Sequence, residues 1–332
     1  MARLNHRMHI LLANLAPIPV FAYGGTERVV WDLGLALAEM GHRVTYLVPE
    51  GSVCPFADVI PIRKEISWEN QIPTSVDIAH FHFDPRQPLA CPHVVTEHTN
   101  NKENPPLPLN TIFVSENHAL RYGSSKFVRN GLNWANYGQP KWTAARKNFH
   151  FLGKAAWRVK NVQGAIDVAR KAGIEMDVLG GTRLNIKRGF RFTWSRNIHF
   201  HGMVGGSDKF NLLNQSRGLI FPVRWHEPFG LAVIESMYFG APVFATPYGA
   251  IPELVPSECG VLSNDGQELV DAILYNKFDP EACHMHVVNN FGHMRMANDY
   301  LSVYRQVLAG ATLHSTPPQR IGEFRHLPWK SP

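Results

Sequence analysis

Two glutamates that lie eight residues apart form the strongest candidate site in this sequence. Glu227 and Glu235 follow a short apolar segment at 218–223, which predicts a buried strand. Pro228 fits the first turn of a helix, so we expect Glu227 at the helix start and Glu235 about two turns along. Carboxylates accept hydrogen bonds from vicinal hydroxyls, and a helix N-terminus favours a phosphate. A pair with this spacing can hold a sugar with one carboxylate and a ribose with the other, with a diphosphate between them, whereas a helix-capping Glu followed by an exposed Glu is the alternative interpretation.

Three cations occupy one segment, 153–161, between a predicted strand and a predicted helix. They are Lys154, Arg158 and Lys160. A nucleoside diphosphate that leaves a sugar accumulates negative charge, which lysine, arginine and backbone N–H groups can stabilise without a metal ion. Lys160 is the best candidate of the three, and a solvated basic loop is the alternative interpretation.

The segment 226–235 resembles the E-x7-E signature of the GT-B glycosyltransferases of family 4, also called glycosyl transferases group 1. The resemblance extends to Gly-Ala-Pro-Val at 240–243, Gly-Ala-Ile-Pro-Glu at 249–253 and the glycine-rich loop at 23–28. It implies that Glu227 contacts the donor sugar and Glu235 the nucleotide ribose. Lys154 departs from the arginine typical of the family. The donor-binding residues implied are Gly24, Gly25, Lys154, Arg158, Lys160, Glu227, Phe229, Gly230, Leu231 and Glu235.

Other candidates follow predicted strands in the first half of the chain. His98 comes after a predicted strand at 93–97, where the family often places a histidine near the donor sugar. The resemblance therefore implies a catalytic set of Lys160, Glu227 and His98, although a strand-end histidine bonded to nearby backbone is the simpler alternative. The weaker candidates for acceptor binding are Ser115, Glu116 and Asn117.

Two histidine pairs share a strand face by twofold alternation: His80 with His82, and His199 with His201. Such pairs can ligate a metal ion, but no neighbouring carboxylate or third ligand is evident in the sequence. We therefore predict no metal site.

The resemblance implies a retaining transfer of a hexose from a nucleoside diphosphate sugar to an acceptor hydroxyl, independent of metal and of any cofactor. The donor is expected to be a UDP-sugar rather than a GDP-sugar. The acceptor is a glycan, a glycolipid or a small molecule. Two alternatives remain: a nucleotide-sugar epimerase or hydrolase of the same fold, and a non-catalytic nucleotide-sugar-binding protein.

Composition limits the classes further. The 33 Lys and Arg against 27 Asp and Glu give a net charge of +6, which favours anionic partners. No apolar run is long enough to span a membrane, and the four cysteines form no CxxC pair. We predict a cytoplasmic protein whose basic surface and tail can contact an anionic membrane at its inner face. No reading helix or aromatic stacking platform indicates nucleic-acid binding.

Alternating short apolar runs and helical patterns predict the elements that position these residues. The pattern begins with a strand at 8–14 and a helix capped by Thr26, and it restarts with a strand at 149–152. The fold class expected is α/β, a GT-B arrangement of two Rossmann-like domains with parallel sheets facing a central cleft. The predicted domains are an acceptor domain at 1–140, a donor domain at 141–310 and a loosely ordered basic tail at 311–332, with the last helix a candidate to pack back on the first domain.

Overall fold

The computed structural model describes residues 7–19, 24–186, 190–323 and 325–332. The described residues divide into two compact units. The first comprises Gly24–Asn133, Phe291–Gly322 and the described residues before Val20. The second comprises Trp134–Asn290 and the described part of Glu323–Pro332. Residues 134–140, predicted to end the first domain, thus lie in the second unit.

Within its described residues, the first unit contains a six-stranded parallel sheet in the order β3-β2-β1-β4-β5-β6. Its central strands are apolar and buried, as expected for a sheet covered on both faces. The strands are β1 (His9–Ala13), β2 (Arg43–Val48), β3 (Asp58–Pro61), β4 (Ile78–Phe81), β5 (His93–Glu97) and β6 (Thr111–Phe113). The helices before residue 134 are α1 (Thr26–Glu39), α2 (Trp68–Gln71) and α3 (Glu116–Leu120).

The described part of the second unit repeats this topology, with a parallel sheet in the order β11-β8-β7-β12-β13-β14. Its sheet strands are β7 (Phe149–Leu152), β8 (Met176–Leu179), β11 (Ile198–Phe200), β12 (Leu219–Phe221), β13 (Val243–Ala245) and β14 (Gly260–Leu262). A separate antiparallel pair, β9 (Leu184–Asn185) and β10 (Arg191–Phe192), lies between β8 and β11 in sequence. The helices are α4 (Val162–Lys171), α5 (Gly206–Asn214), α6 (Leu231–Tyr238), α7 (Ile251–Leu254), α8 (Gly266–Tyr275) and α9 (Pro280–Asn290).

The last helix, α10 (His293–Leu308), belongs to the first unit and packs on α1. Two of its buried tyrosines reach the sheet: Tyr304 is hydrogen-bonded to His80, and Tyr300 to Thr96. These contacts bury the apolar face of α10 against the unit in which the chain begins.

The prediction of a loosely ordered tail is wrong for its described residues. The backbone carbonyl of Pro318 accepts a hydrogen bond from Leu107, and Ile321 donates to Arg121 at 2.7 Å. Further on, Leu327 donates to the carbonyl of Arg224, and Lys330 to that of Asn264. The tail is anchored because its backbone groups are paired at intervals, which composition does not reveal.

Each sheet reverses its strand order at one point, between β1 and β4 in the first unit and between β7 and β12 in the second. In open α/β sheets, ligands bind beyond the carboxyl ends of the strands at this point, because the connections leave in opposite directions and open a crevice. The fold therefore marks the loops after these strands as the places to examine.

Two predicted helix starts differ from the structure. Thr26 is the first residue of α1 and makes no cap, since Gly25 holds the cap position without a side-chain hydrogen bond. Helix α6 begins at Leu231 rather than at Pro228, because Gly230 adopts a left-handed conformation with φ of 114°. A side chain there would be strained, so glycine sets where the helix begins.

Asp32 is a buried carboxyl group in α1, only 1% exposed. Its Oδ2 accepts a hydrogen bond from the Asn133 N–H at 2.8 Å, and among the described residues Oδ1 has no hydrogen-bond partner. Burial raises the pKa of Asp32 to about 6, although the Asn133 N–H and Arg28 oppose this shift.

This shift predicts a pH-dependent stability. Because the folded-state pKa lies above the unfolded value, the native state binds more protons between the two values. Asp32 should therefore reduce stability by about 2 kcal/mol as the pH rises from about 4 to about 7. Asp32→Asn removes this titration. The unfolding free energy of the variant, measured relative to the wild type, should therefore increase by about that amount between the two pH values. A difference that does not change with pH would contradict the prediction.

Candidate functional site

Lys160 and Glu227 meet at the point of strand reversal in the second unit. Lys160 lies in the loop after β7, and Glu227 lies in the loop after the adjacent strand β12. The Lys160 ammonium donates to both carboxylate oxygens of Glu227, at 2.9 Å to Oε1 and 2.7 Å to Oε2. The two side chains are 13% and 9% exposed, so this ion pair is largely withdrawn from water. The structure thus brings together two of the three predicted catalytic residues.

The loop that carries Lys160 is fixed by Asn161. This residue adopts the left-handed conformation, with φ of 52° and ψ of 48°, and its side chain caps α4 by accepting from the Gly164 N–H. Its amide also donates to the carbonyl of Pro222 at 2.9 Å. Asparagine suits both tasks because it tolerates the left-handed region and is a strong helix cap. Lys160 is therefore held beside the end of β12.

Glu227 is positioned by its backbone and by Trp225. Its carbonyl accepts from the Ala250 N–H at 2.9 Å, and its backbone pairs with Gly249 in an isolated bridge. The Trp225 indole N–H donates to Oε2 of Glu227 at 2.6 Å. The Lys160 ammonium lies 5.1 Å from the Trp225 ring centroid and 5.2 Å from that of Phe221. Aromatic faces on one side and a carboxylate on the other hold the ammonium in place.

Gly249→Ala is expected to disturb Glu227 specifically. Gly249 has φ of +69°, and a methyl group on it would collide with the backbone N and O of Glu227. Gly173→Ala is the matched control, because Gly173 has φ of +67° but nothing within 4 Å. Both variants should lose about 1–2 kcal/mol of stability from backbone strain, measured by urea unfolding, and Gly249→Ala should lose more because of the collision. Only Gly249→Ala should also lower donor turnover, and equal turnover in the two variants would contradict the prediction.

Glu235 forms a second, more deeply buried charge cluster within α6. Its Oε1 accepts from the Lys209 ammonium at 2.7 Å and from the Tyr137 hydroxyl at 2.6 Å. Lys209 also lies over the rings of Tyr137 and Phe210, at 5.5 Å from each centroid. This cluster joins α6, α5 and the 3-10 turn at Trp134–Tyr137. Glu235 thus stabilises the second unit in addition to any role toward a ligand.

The remaining donor-site candidates of the second unit surround the same loops. Lys154 lies over the Trp157 ring at 5.2 Å, and Arg158 is exposed in the 3-10 turn that ends at Lys160. Phe229 is buried, whereas Gly230 and Leu231 form the start of α6. The first N–H groups of a helix carry partial positive charge, so this start can accept an anionic group. Their assignment to donor binding stays a prediction.

His98, the third predicted catalytic residue, belongs to a histidine cluster in the first unit. Its Nε2 lies 2.9 Å from Nδ1 of His82, and the rings are stacked. His80 is in turn hydrogen-bonded to Thr96 at 2.7 Å. Burial lowers the pKa of His98 to about 4 and holds the pKa values of His80 and His82 well below the ordinary range. His98 is therefore a neutral hydrogen-bonding group at pH 7, not a cation.

The other candidates of the first unit have defined local environments. Ser115 is buried and its hydroxyl caps α3 by accepting from the His118 N–H at 3.1 Å. Glu116 lies 3.8 Å from Arg129, and Asn117 is half-buried. Gly24 and Gly25 are half-buried at the start of α1. Tyr23, part of the glycine-rich loop, lies outside the described residues.

The second histidine pair has carboxylate neighbours that the sequence did not reveal. His201 lies 2.7 Å from Asp177, and His199 lies 3.3 Å from Glu175. They come together because β11 pairs with β8 in parallel. Among the residues that the structure describes, no group of three potential metal ligands occurs.

Several residues of the candidate site were missed in the sequence. Trp225 precedes Glu227 by two positions, which in extended chain places both side chains on one side, so the spacing could have suggested it. Asn161 directly before a predicted helix is a recognisable cap. Lys209 and Tyr137 offered no local indication, since both are brought to Glu235 by the tertiary fold.

Comparison with known proteins supports the predicted fold and family. The model of the family described as glycosyl transferases group 1 matches residues 141–275. O-antigen chain mannosyltransferase C of Escherichia coli is 23% identical over 316 residues, covering 76% of this chain and 84% of that protein.

Two solved structures illustrate the shared fold. AviGT4, a glycosyltransferase involved in avilamycin A biosynthesis, has a TM-score of 0.74 and 21% identity, covering 92% of this chain and 99% of its own. Anabaena Alr3699/HepE in complex with UDP and glucose has a TM-score of 0.65 and 13% identity, covering 90% of this chain and 100% of its own.

Two Rossmann-like units with parallel sheets define the chain as a GT-B protein. Residues 141–275 are similar to the glycosyl transferases of group 1, and the chain is a glycosyltransferase. The predicted family and fold class are thereby confirmed. Across the described residues, no helix is both long and apolar enough to cross a membrane.

Proposed function

We propose that this glycosyltransferase is a retaining enzyme that transfers a hexose from a nucleoside diphosphate sugar to an acceptor hydroxyl, without a metal ion. The observation that carries the proposal is the Lys160–Glu227 ion pair at the strand-reversal point of the second unit. One partner is a cation suited to a diphosphate, and the other is an acceptor suited to sugar hydroxyls.

In the proposed reaction, the bond between the anomeric carbon and the phosphate oxygen breaks while the acceptor oxygen bonds to that carbon on the same face. The acceptor proton passes to the leaving phosphate, so no protein base is required. Lys160 stabilises the charge that develops on the diphosphate, and the first N–H groups of α6 add to this effect. Glu227 keeps Lys160 in place and accepts hydrogen bonds from the sugar.

Glu235 is proposed to bind the nucleotide ribose. Its carboxylate already accepts from Lys209 and Tyr137. A ribose diol would add to these hydrogen bonds or exchange with one of them. His98, a neutral imidazole, is proposed to act as a hydrogen-bonding group toward the sugar rather than as a charged one.

A UDP-sugar is favoured over a GDP-sugar as donor, in keeping with the UDP and glucose bound to HepE. The similarity to an O-antigen chain mannosyltransferase supports a glycan acceptor. We extend the proposal to a glycan linked to a lipid, presented at the inner face of an anionic membrane.

The test is nucleotide release by the purified protein with a panel of nucleoside diphosphate sugars, with and without acceptors, in the presence of EDTA. Acceptor-dependent release with a product of unchanged anomeric configuration, read by NMR, is the expected result. Sugar conversion or release without an acceptor would instead support the epimerase or hydrolase. Thermal stabilisation by a nucleotide sugar without turnover would support a binding protein.

A further inference from the structure

The antiparallel pair β9–β10 carries an unusual surface in the second unit. Leu184 pairs with Phe192, and Asn185 pairs with Arg191. Exposed and less exposed positions alternate along both strands, as the twofold period of a strand requires. Among the described residues from 184 to 194, the exposed positions are all apolar, and we call them the hairpin face: Leu184, Ile186, Phe190, Phe192 and Trp194.

The hairpin face is strongly exposed for residues of this type. Trp194 is 85% exposed, Phe190 79% and Ile186 69%. Phe192 and Trp194 contact each other edge to face, with ring centroids 4.6 Å apart. Contiguous exposed apolar residues on a folded protein mark a surface that meets another apolar phase or partner.

The opposite face of the hairpin fixes it to the unit. Arg183 and Arg191 donate to backbone carbonyls across the hairpin, those of Thr193 and Thr182 among them. Arg183 also donates to the carbonyl of Ile198 in β11, which ties the hairpin to the sheet. The Arg191 guanidinium also lies 5.1 Å from the Phe200 ring centroid. Because these arginines anchor one face to backbone and ring, the hairpin face is held outward.

Charge favours one kind of partner. The sequence from 178 to 207 contains no Asp or Glu, whereas 183–196 contains five cations, of which Arg183 and Arg191 lie on the opposite face of the hairpin. Lys187 and Arg188 are two of these and lie outside the described residues, and Arg196 is exposed. A second copy of the same surface would bring like charges together, which is unfavourable. An anionic, apolar surface complements both properties.

We propose that the hairpin face docks on an anionic lipid bilayer, with its aromatic side chains at the interface and Arg196 among the headgroups. Tryptophan and phenylalanine favour this depth, and nearby cations add attraction to acidic lipids. The basic tail is less suited to this task, because Lys330 is paired with Asp265 and Arg320 is buried. The proposal is independent of the proposed reaction.

The test is flotation of the full chain with vesicles of phosphatidylcholine, with and without phosphatidylglycerol. Binding should require phosphatidylglycerol and weaken with added salt. Phe190→Ala with Trp194→Ala should weaken binding at least about tenfold, because two exposed aromatic groups no longer enter the interface. The matched control is Tyr275→Ala, an aromatic residue 78% exposed on α8 of the same unit.

A second pair of variants tests the charge. Arg196→Glu should weaken binding, whereas Lys171→Glu, an exposed cation on α4, should not. Turnover of a soluble acceptor should be unchanged in all these variants, which separates docking from the reaction. No vesicle binding, or equal binding by the double variant and the control, would overturn the proposal. The proposal would also be overturned if Phe190→Ala with Trp194→Ala disrupted a dimer of this chain. The same holds if the double variant lost binding to a polysaccharide and the wild type did not bind vesicles.

Discussion

Lys160→Ala is expected to lower turnover at least about a hundredfold, which corresponds to about 2.7 kcal/mol in the barrier. The ammonium is held between Glu227 and the rings of Phe221 and Trp225, so it needs little rearrangement to meet a developing diphosphate charge. The measurement is nucleotide release at saturating donor and acceptor. Lys171→Ala, which removes an exposed cation from α4, should leave turnover unchanged.

Loss of folding must be separated from loss of catalysis, because Lys160→Ala leaves the carboxylate of Glu227 without its cation. The double variant Lys160→Met with Glu227→Gln removes both charges, so no unpaired charge remains. Its unfolding midpoint in denaturant should be closer to that of the wild type than the midpoint of Lys160→Ala is. Its turnover should remain low. A folded Lys160→Ala protein with wild-type turnover would remove Lys160 from the mechanism.

Lys209→Ala is expected to reduce the unfolding free energy of the second unit by about 3–5 kcal/mol, because it leaves a buried carboxylate without its cation. Side chains of Lys209 and Glu235 are 5% and 7% exposed, so water cannot replace the lost partner. Equilibrium unfolding in urea measures the change. If the two units unfold separately, a spectroscopic probe in the second unit should be used to monitor the transition.

The companion variant is Lys209→Met with Glu235→Gln, which removes both charges while keeping side-chain volume. It should recover most of the lost stability, because neither charge is then buried alone. If Glu235 also binds the ribose, this stable double variant should have a raised donor KM. A Lys209→Ala protein within about 0.5 kcal/mol of the wild type would show that the pair contributes little.

The sequence predicted the strands that are both buried and apolar, such as β7 and β12, because a continuous apolar run indicates a buried strand without further information. It missed β3 (Asp58–Pro61), a partly exposed edge strand, and β14 (Gly260–Leu262), which begins with glycine and is only partly buried. It also missed α9 (Pro280–Asn290), in which the buried residues are Cys283 and Val287. So few buried positions give no clear helical period.

The site was predicted residue by residue but not as an arrangement. The family resemblance implied that Lys160 and Glu227 serve the same donor, yet their direct ion pair depends on the adjacency of β7 and β12 in the sheet. The partnership of Lys209 with Glu235 depends on the packing of α5 beside α6. The hairpin face escaped notice because 182–196 was not assigned to any element, and its alternation emerges only once β9 and β10 are paired.

The return of α10 to the first unit bears on how the polypeptide matures. Tyr300 and Tyr304 complete hydrogen bonds to Thr96 and His80, and the tail then contributes Lys330 beside Asn264 in the second unit. The first unit therefore lacks some of its internal contacts until α10 has left the ribosome, and the second unit until Lys330 has. Fragments ending near residue 140 would expose the sheet histidines and the α1 surface that α10 covers, so severing the chain there yields an aggregation-prone half rather than an autonomous domain.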